Sequence, residues 1–215
     1  MTGGLTILVL AKAPVAGLSK TRLAPRFGPV GAAQLAAAAL ADTLAVVRRT
    51  PCTRRVLVLD GQLSDDWRTT NAAGFEVLGQ VRGTHGERIR AALEIADGAA
   101  LLIGMDTPQV SPALLQLDLD DPVEAWLGLA ADGGWWALGL RHARRDAAEV
   151  LADVPMSTDR TGSVQRRRLD EAGLRVAPLL VLRDVDEPDD ALAVAALAPA
   201  TRFAACLRDL VATVA

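Results

Sequence analysis

Leu5-Thr-Ile-Leu-Val-Leu10, followed almost at once by Lys12-Ala-Pro-Val-Ala-Gly-Leu-Ser-Lys-Thr-Arg-Leu-Ala-Pro25, sets the frame for the rest of the chain. The first run is short, aliphatic and β-branched, the signature of a buried strand. The loop after it holds Gly17, Pro14, Pro25 and the cations Lys12, Lys20 and Arg22. The protein has only two lysines against 21 arginines, and both lie in this loop. A compact, strongly hydrated ammonium placed twice where Arg is otherwise preferred suits the gripping of phosphate. The plainer alternative is a solvated loop at the end of strand one.

Outward from this stretch the chain alternates. A helix is expected over 31–50, stopped by Thr50-Pro51, and a strand over 55–60 that ends on Asp60 and Gly61. A short helix over 63–73, a strand over 75–78, a helix over 86–96 and a strand over 100–104 follow. Ser111-Pro112 has the form of an N-cap with Pro at the first helical position. Such alternation predicts an α/β fold with a mostly parallel central sheet, its ligands bound beyond the carboxyl ends of the strands. The second half departs from it. Apolar runs over 124–130 and 135–140 flank Ala131-Asp132-Gly133-Gly134, a hairpin-like connection. Helices over 144–152 and from 162 onward, a strand over 175–183 and two Ala/Leu-rich helices complete the chain. No repeat or long linker divides it, so a single domain over 1–215 is expected.

Composition narrows the functional classes. The chain has 215 residues, 51% hydrophobic and 23% charged, as globular proteins do. A net charge of −3 and a pI near 5.4 argue against nucleic acid as a partner. Cys52 and Cys206 have no metal-ligand spacing, and with only His85 and His142 a zinc site is not expected. Neither a signal peptide nor an apolar run of membrane-spanning length is read from the sequence, so no membrane partner and a cytoplasmic setting are expected.

Three further groups carry chemistry. Lys20-Thr21-Arg22 with the turn at Gly17 could surround a di- or triphosphate; the spacing is not that of a Walker A loop, because Pro14 and Ser19 stand where glycines would be required. Asp106 directly follows the strand over 100–104, where an uncompensated carboxylate is costly unless it binds something. Asp184 and Asp186 also follow a strand and share a face, so the three can converge on a hard cation such as Mg²⁺ or Mn²⁺. The alternatives are a capping role for Asp106 and a solvated helix N-terminus around 184–190. Asp132-Gly133-Gly134 beside Trp135 and Trp136 could hold a sugar or base, or could simply be a turn with core aromatics. Gly83, Gly86, Glu87 and Arg88 form a weaker group, in which His85 is read as incidental.

Lys12-Ala-Pro-x-x-Gly-x-x-Lys-Thr-Arg-Leu23, Gly104-Met-Asp-Thr-Pro108, Asp132-Gly-Gly-Trp-Trp-x-x-Gly-Leu140 and Asp184-Val-Asp-x-Pro-x-Asp190 occur in order over nearly the whole length. Together they resemble a bacterial family of small GT-A-fold proteins labelled glycosyltransferase-like, whose relatives include 2-phospho-L-lactate guanylyltransferases and other nucleotidyltransferases. The resemblance implies a GT-A-like, nucleotide-diphospho-sugar transferase three-layer sandwich and a transferase activity. It implies a nucleotide or nucleotide-sugar held by Lys12, Gly17, Lys20 and Arg22, joined by Gly83 and Arg88. It places a metal at Asp106, with Asp184 and Asp186 as further ligands. A small-molecule acceptor would meet Asp132, Gly133 and Trp136, and Lys20, Asp106 and Asp132 would be catalytic. The family usually has Gly-Asp-Leu-Gly-x-Arg where Gly83-Thr-His-Gly-Glu-Arg88 stands here, and often Trp-Ser-Thr where this chain has Met156-Ser-Thr158. These departures bear on the acceptor more than on the nucleotide. An acid beside aromatic surface favours glycosyl transfer to a hydroxyl-rich acceptor. Nucleotidyl transfer to a small phosphorylated acceptor is the alternative, and a non-catalytic nucleotide-binding module the second.

Overall fold

A computed structural model describes residues 4–214. The first strand, β1 (Thr6–Lys12), lies inside a seven-stranded sheet. It is flanked on one side by β2 (Arg54–Asp60) and then β3 (Glu76–Gly79). On the other side come β4 (Ala100–Ile103), β6 (Trp135–Leu140), β5 (Ala125–Ala130) and β7 (Val176–Leu182), giving the order β3-β2-β1-β4-β6-β5-β7. All pairings are parallel except those of β6 with β4 and β5, so six strands run one way and β6 runs back. The antiparallel β5–β6 pair matches the turn expected at 131–134 and carries a bulge near Gly128 and Leu129.

Period-two alternation explains why the sheet is covered on both faces. Ile7, Val9 and Ala11 of β1 pack with Leu40, Leu44 and Val47 of α1 (Ala24–Arg49). Leu8 and Leu10 join a second core with Ile89 and Leu93 of α3 (His85–Leu93), Ala147 and Val150 of α4 (Ala143–Val150) and Leu169 of α5 (Thr161–Glu171). A third cluster clamps α6 (Pro188–Leu197) and α7 (Arg202–Val214) against α1 through Leu35, Val194, Phe203 and Leu207. Its polar key is Asp42, buried in α1. Its two carboxylate oxygens accept the amide N–H groups of Arg202 (3.1 Å) and Phe203 (2.8 Å), capping α7 from another element. Burial raises the Asp42 carboxyl above its ordinary value, against the pull of those two amides. The short α2 (Asp65–Asn71) bridges β2 and β3.

Three expectations change. The first helix starts at Ala24 rather than at 31, with a kink at Gly28 (φ +71°) before Pro29, which begins the straight segment. Ser111-Pro112 opens a single 3₁₀ turn, Pro112–Leu115, not a helix. The helix Ala24–Arg49 is also long and apolar enough to cross a membrane by length and composition, contrary to the reading that no run is. Two-thirds of that apolar window is buried within the protein, so the sheet accounts for its apolarity.

Candidate active site

The topology brings the sequence motifs to one edge. Six strands end there, so Lys12, Asp60, Gln80 and Asp106 lie together beyond the carboxyl ends of β1, β2, β3 and β4. Because β6 runs backward, its leading turn Asp132–Gly134 arrives at the same edge, as does the segment after β7. The Val185 amide donates to the Asp106 carbonyl at 2.9 Å, tying the segments after β4 and β7 side by side. Two clefts open here, of about 360 Å³ and 470 Å³.

The first cleft is built on the loop after β1. Ser19, which the sequence reading passed over, is its staple. The buried hydroxyl donates to the Ala13 carbonyl (2.9 Å) and accepts the Val15 amide (3.0 Å). Lys12 Nζ donates to the Leu18 carbonyl at 3.1 Å, and Gly17 turns the tip with φ +80°. Leu23, with no exposed surface, pins the loop's far end into the core. Lys20 itself is held at φ +48°, a left-handed conformation that costs a non-glycine residue of order 1 kcal/mol and clusters at functional sites. Its ammonium lies 2.8 Å from Asp106 Oδ1 and 3.0 Å from Asp186 Oδ1. Burial alone would lower the Lys20 pKa; the two carboxylates outweigh it and raise it. Arg22 reaches Asp186 (3.7 Å) and Glu187 (3.8 Å), so the first loop is strapped to the segment after β7. Among the described residues, the amides of Lys20, Thr21 and Arg22 have no acceptor within the protein, leaving a run of donors beside four cations, Lys12, Lys20, Arg22 and Arg88, whereas Gly17, assigned to the nucleotide from sequence, turns the loop tip and lines neither cleft.

Arg88 projects from α3 to Asp60 (3.3 Å) and Gln80 (3.4 Å). Gln80 bridges strand ends, its amide donating to the carbonyls of Ala11 (2.8 Å) and Val58 (3.1 Å). Asp60 closes its strand as read; nothing local marked Gln80, whose role exists only once β1, β2 and β3 are adjacent.

The second cleft is lined by Asp106, Asp132, Asp159, Asp184 and Asp186, with Arg22 as its permanent cation. Asp184 is strongly perturbed. Burial first, then Asp106, Asp132 and Asp186, raise its pKa to about 7, against Lys20, which lowers it. Its Oδ1 is buried without a hydrogen-bond partner. Among the described residues no three acidic, His or Cys groups are already drawn together as a metal cage; the Lys20 ammonium stands between two of the carboxylates instead. Asp184 thus offers an orphaned carboxylate oxygen near Asp106 and Asp186, oxygen donors of the kind a hard divalent ion takes, with the Lys20 ammonium already neutralising those two.

Three further sequence assignments move. Trp136 is 2% exposed and its indole N–H donates to the Leu180 carbonyl at 2.9 Å, so it is a core side chain that only borders the cleft. Its neighbour Trp135 faces the second cleft's side of the sheet, because alternate strand residues point oppositely. Gly133 (φ +91°) packs where a Cβ would sit 2.1 Å from the Asp159 carbonyl, locking the 132–134 turn to the segment before α5 rather than offering a contact surface. Gly83 lines neither cleft; it backs the capping box of Thr84 and Glu87 at the start of α3. Asp132 remains on the cleft wall, one oxygen accepting the Gly134 amide at 2.8 Å.

Comparison with known proteins places this architecture. No curated protein matches the sequence. A solved structure from Desulfovibrio desulfuricans G20, described as a candidate nucleotide-diphospho-sugar transferase, superposes with a TM-score of 0.85 at 23% identity, covering 97% of this chain and 95% of that one. A nucleotidyl transferase from Methanothermobacter superposes at 0.60 with 16% identity, over 89% and 95% of the two chains. Rv0371c of Mycobacterium tuberculosis H37Rv, in its complex with manganese, does so at 0.53 with 24% identity, over 89% and 97%. At these identities the likeness is one of fold: the sheet and its helices match the architecture of these structures. The family described as "Uncharacterized protein conserved in bacteria (DUF2064)" matches residues 43–158, just over half of the chain, and the protein belongs to it.

Proposed function

We propose that this protein is a single-domain cytoplasmic transferase that binds a nucleotide-diphospho-sugar in the first cleft and transfers its glycosyl group to a hydroxyl-bearing small molecule in the second. The observation that carries this reading is the different charge balance of two clefts that share one wall. The first sets four cations, with free backbone amides beside them, against three carboxylates, Asp60, Asp106 and Asp186, a balance suited to a diphosphate. The second presents five carboxylates to one arginine, a surface that hydrogen-bonds hydroxyl groups and repels a second anion. Asp106, Asp184 and Asp186 would hold a Mg²⁺ or Mn²⁺ ion, which when bound supplies neutralisation of the diphosphate's charge. Lys12, Lys20, Arg22 and Arg88 bind and orient the phosphates. Ser19 and Leu23 keep the loop preorganised, so little reorganisation opposes binding. The free Cys52 and Cys206 accord with a reducing compartment.

The manganese complex of Rv0371c supports the metal, and the nucleotidyl transferase of the same fold supports the second reading, nucleotidyl transfer from an NTP to a phosphorylated acceptor. Four cations around the first cleft suit a triphosphate equally. Thermal-shift screening of NTPs and nucleotide-sugars with Mg²⁺ or Mn²⁺, followed by mass-spectrometric product analysis, separates the two. Nucleoside diphosphate release supports glycosyl transfer, pyrophosphate release overturns it, and tight binding without any product identifies a binding module.

A further inference from the structure

Five residues line both clefts: Leu10, Arg22, His85, Asp106 and Asp186. A group passing from nucleotide to acceptor crosses this shared wall, and an attacking hydroxyl must lose its proton there. Leu10 cannot take a proton. Arg22 is a permanent cation paired with Asp186 and Glu187. Asp106 and Asp186 are both occupied by the Lys20 ammonium. His85 alone is uncommitted. It is the first residue of α3, and its backbone is fixed by the reciprocal capping box in which Thr84 and Glu87 satisfy each other and leave the imidazole free. The residue is exposed to the clefts.

Resting on the proposed transferase reading, we propose that His85 is the catalytic base, accepting the proton of the acceptor hydroxyl. The hydroxyl O–H breaks and its proton moves to an imidazole nitrogen. The oxygen lone pair forms the new bond to the anomeric carbon, and the bond from that carbon to the diphosphate oxygen breaks. Its electron pair leaves with the nucleoside diphosphate, and the imidazolium returns its proton to water. The electrostatics suit this role. The surrounding protein and then Arg88 lower the His85 pKa below its ordinary value, against Asp106, so the ring is neutral at pH 7. The other charged groups lining the same cavities are Lys12, Lys20, Arg22, Asp60 and Asp186 on the first side, Asp132, Asp159 and Asp184 on the second, Glu87 and Arg90 on its own helix, and Asp153 from the segment after α4. A phosphate acceptor carries no proton that must be removed, so nucleotidyl transfer to such an acceptor has no need of this residue.

The test compares wild type with His85→Gln and His85→Ala, using UDP-glucose, GDP-mannose and dTDP-glucose with Mn²⁺. Binding is read by thermal shift, and nucleoside diphosphate release with water or glycerol as acceptor is followed from pH 5 to 9. Both variants are expected to unfold at the wild-type temperature and to bind the same donor. They should release product about 10²- to 10⁴-fold more slowly, the range of general-base catalysis. The rising acid limb of log kcat/KM should vanish, and added imidazole should restore part of the rate to His85→Ala. Release by His85→Gln within about threefold of wild type overturns the assignment, as does a wild type that binds a donor and never releases product. Absence of any thermal shift overturns the transferase reading itself. Pyrophosphate release from an NTP that is indifferent to His85 overturns both together.

Discussion

Lys20 Nζ sits 2.8 Å from Asp106 Oδ1, joining the loop after the first strand to the end of the fourth, and the same ammonium reaches Asp186 after the seventh. A single lysine thus stands between two of the carboxylates proposed to hold the metal ion. Removing it should separate two effects. In Lys20→Met, Mn²⁺ is expected to bind more tightly to the nucleotide-free protein, because a competing cation is gone. Nucleotide affinity should fall by about 1.5–3 kcal/mol, the scale of a hydrogen bond to a charged group. Calorimetry with Mn²⁺ alone and then with nucleotide measures both; metal affinity unchanged by the substitution would show that the ammonium does not compete.

Asp184 gives a pH dependence whose sign follows from its raised pKa of about 7. Between the unfolded value near 3.9 and about 7 the folded state holds the proton and the unfolded state does not. This residue therefore subtracts stability as pH rises through that window, by at most about 1.4 kcal/mol per unit, and nothing further above it. Metal binding competes with the same proton, so Mn²⁺ affinity should climb through pH 6–8 and level off. Urea denaturation of metal-free wild type and Asp184→Asn from pH 5 to 8 should show the variant losing part of the downward slope. Superimposable profiles would refute the assignment.

Asp42 tests the third core cluster independently of the site. Asp42→Ala leaves the half-buried amide of Arg202 and the buried amide of Phe203 without their acceptor, an expected loss of about 1–3 kcal/mol in chemical denaturation. Nucleotide-induced thermal shifts should persist, since neither cleft contains the residue.

Gly133→Ala should be destabilising although alanine is small, because the added methyl meets the Asp159 carbonyl and the backbone lies at φ +91°. A cost of about 1–3 kcal/mol is expected from strain of this kind. Its counterpart Gly162→Ala meets the Gly134 carbonyl at 2.5 Å and should behave similarly. Wild-type melting temperatures for both would mean that the two turns can part without penalty.

Sequence alone carried the alternation of strands and helices, the buried first strand, the lysine-bearing loop after it and the acids that close three strands. These are local signals: periodicity is written in neighbouring residues, and a charged side chain directly after an apolar run shows wherever it lies. What only the tertiary structure decided is which of those residues meet. The reversal of β6 brings Asp132 to the edge where Asp106 lies, and the Val185–Asp106 backbone bond sets Asp184 and Asp186 beside them. Trp135 and Trp136 are indistinguishable in sequence, and strand orientation alone sends one toward the cleft and the other into the core. Gln80 and His85 carry no motif of their own; Gln80 matters because three strand ends are adjacent, and His85 because two clefts share its helix end. Local patterning sets element type through propensity and burial, whereas a site depends on side chains far apart in the chain, whose proximity is set by strand order and direction.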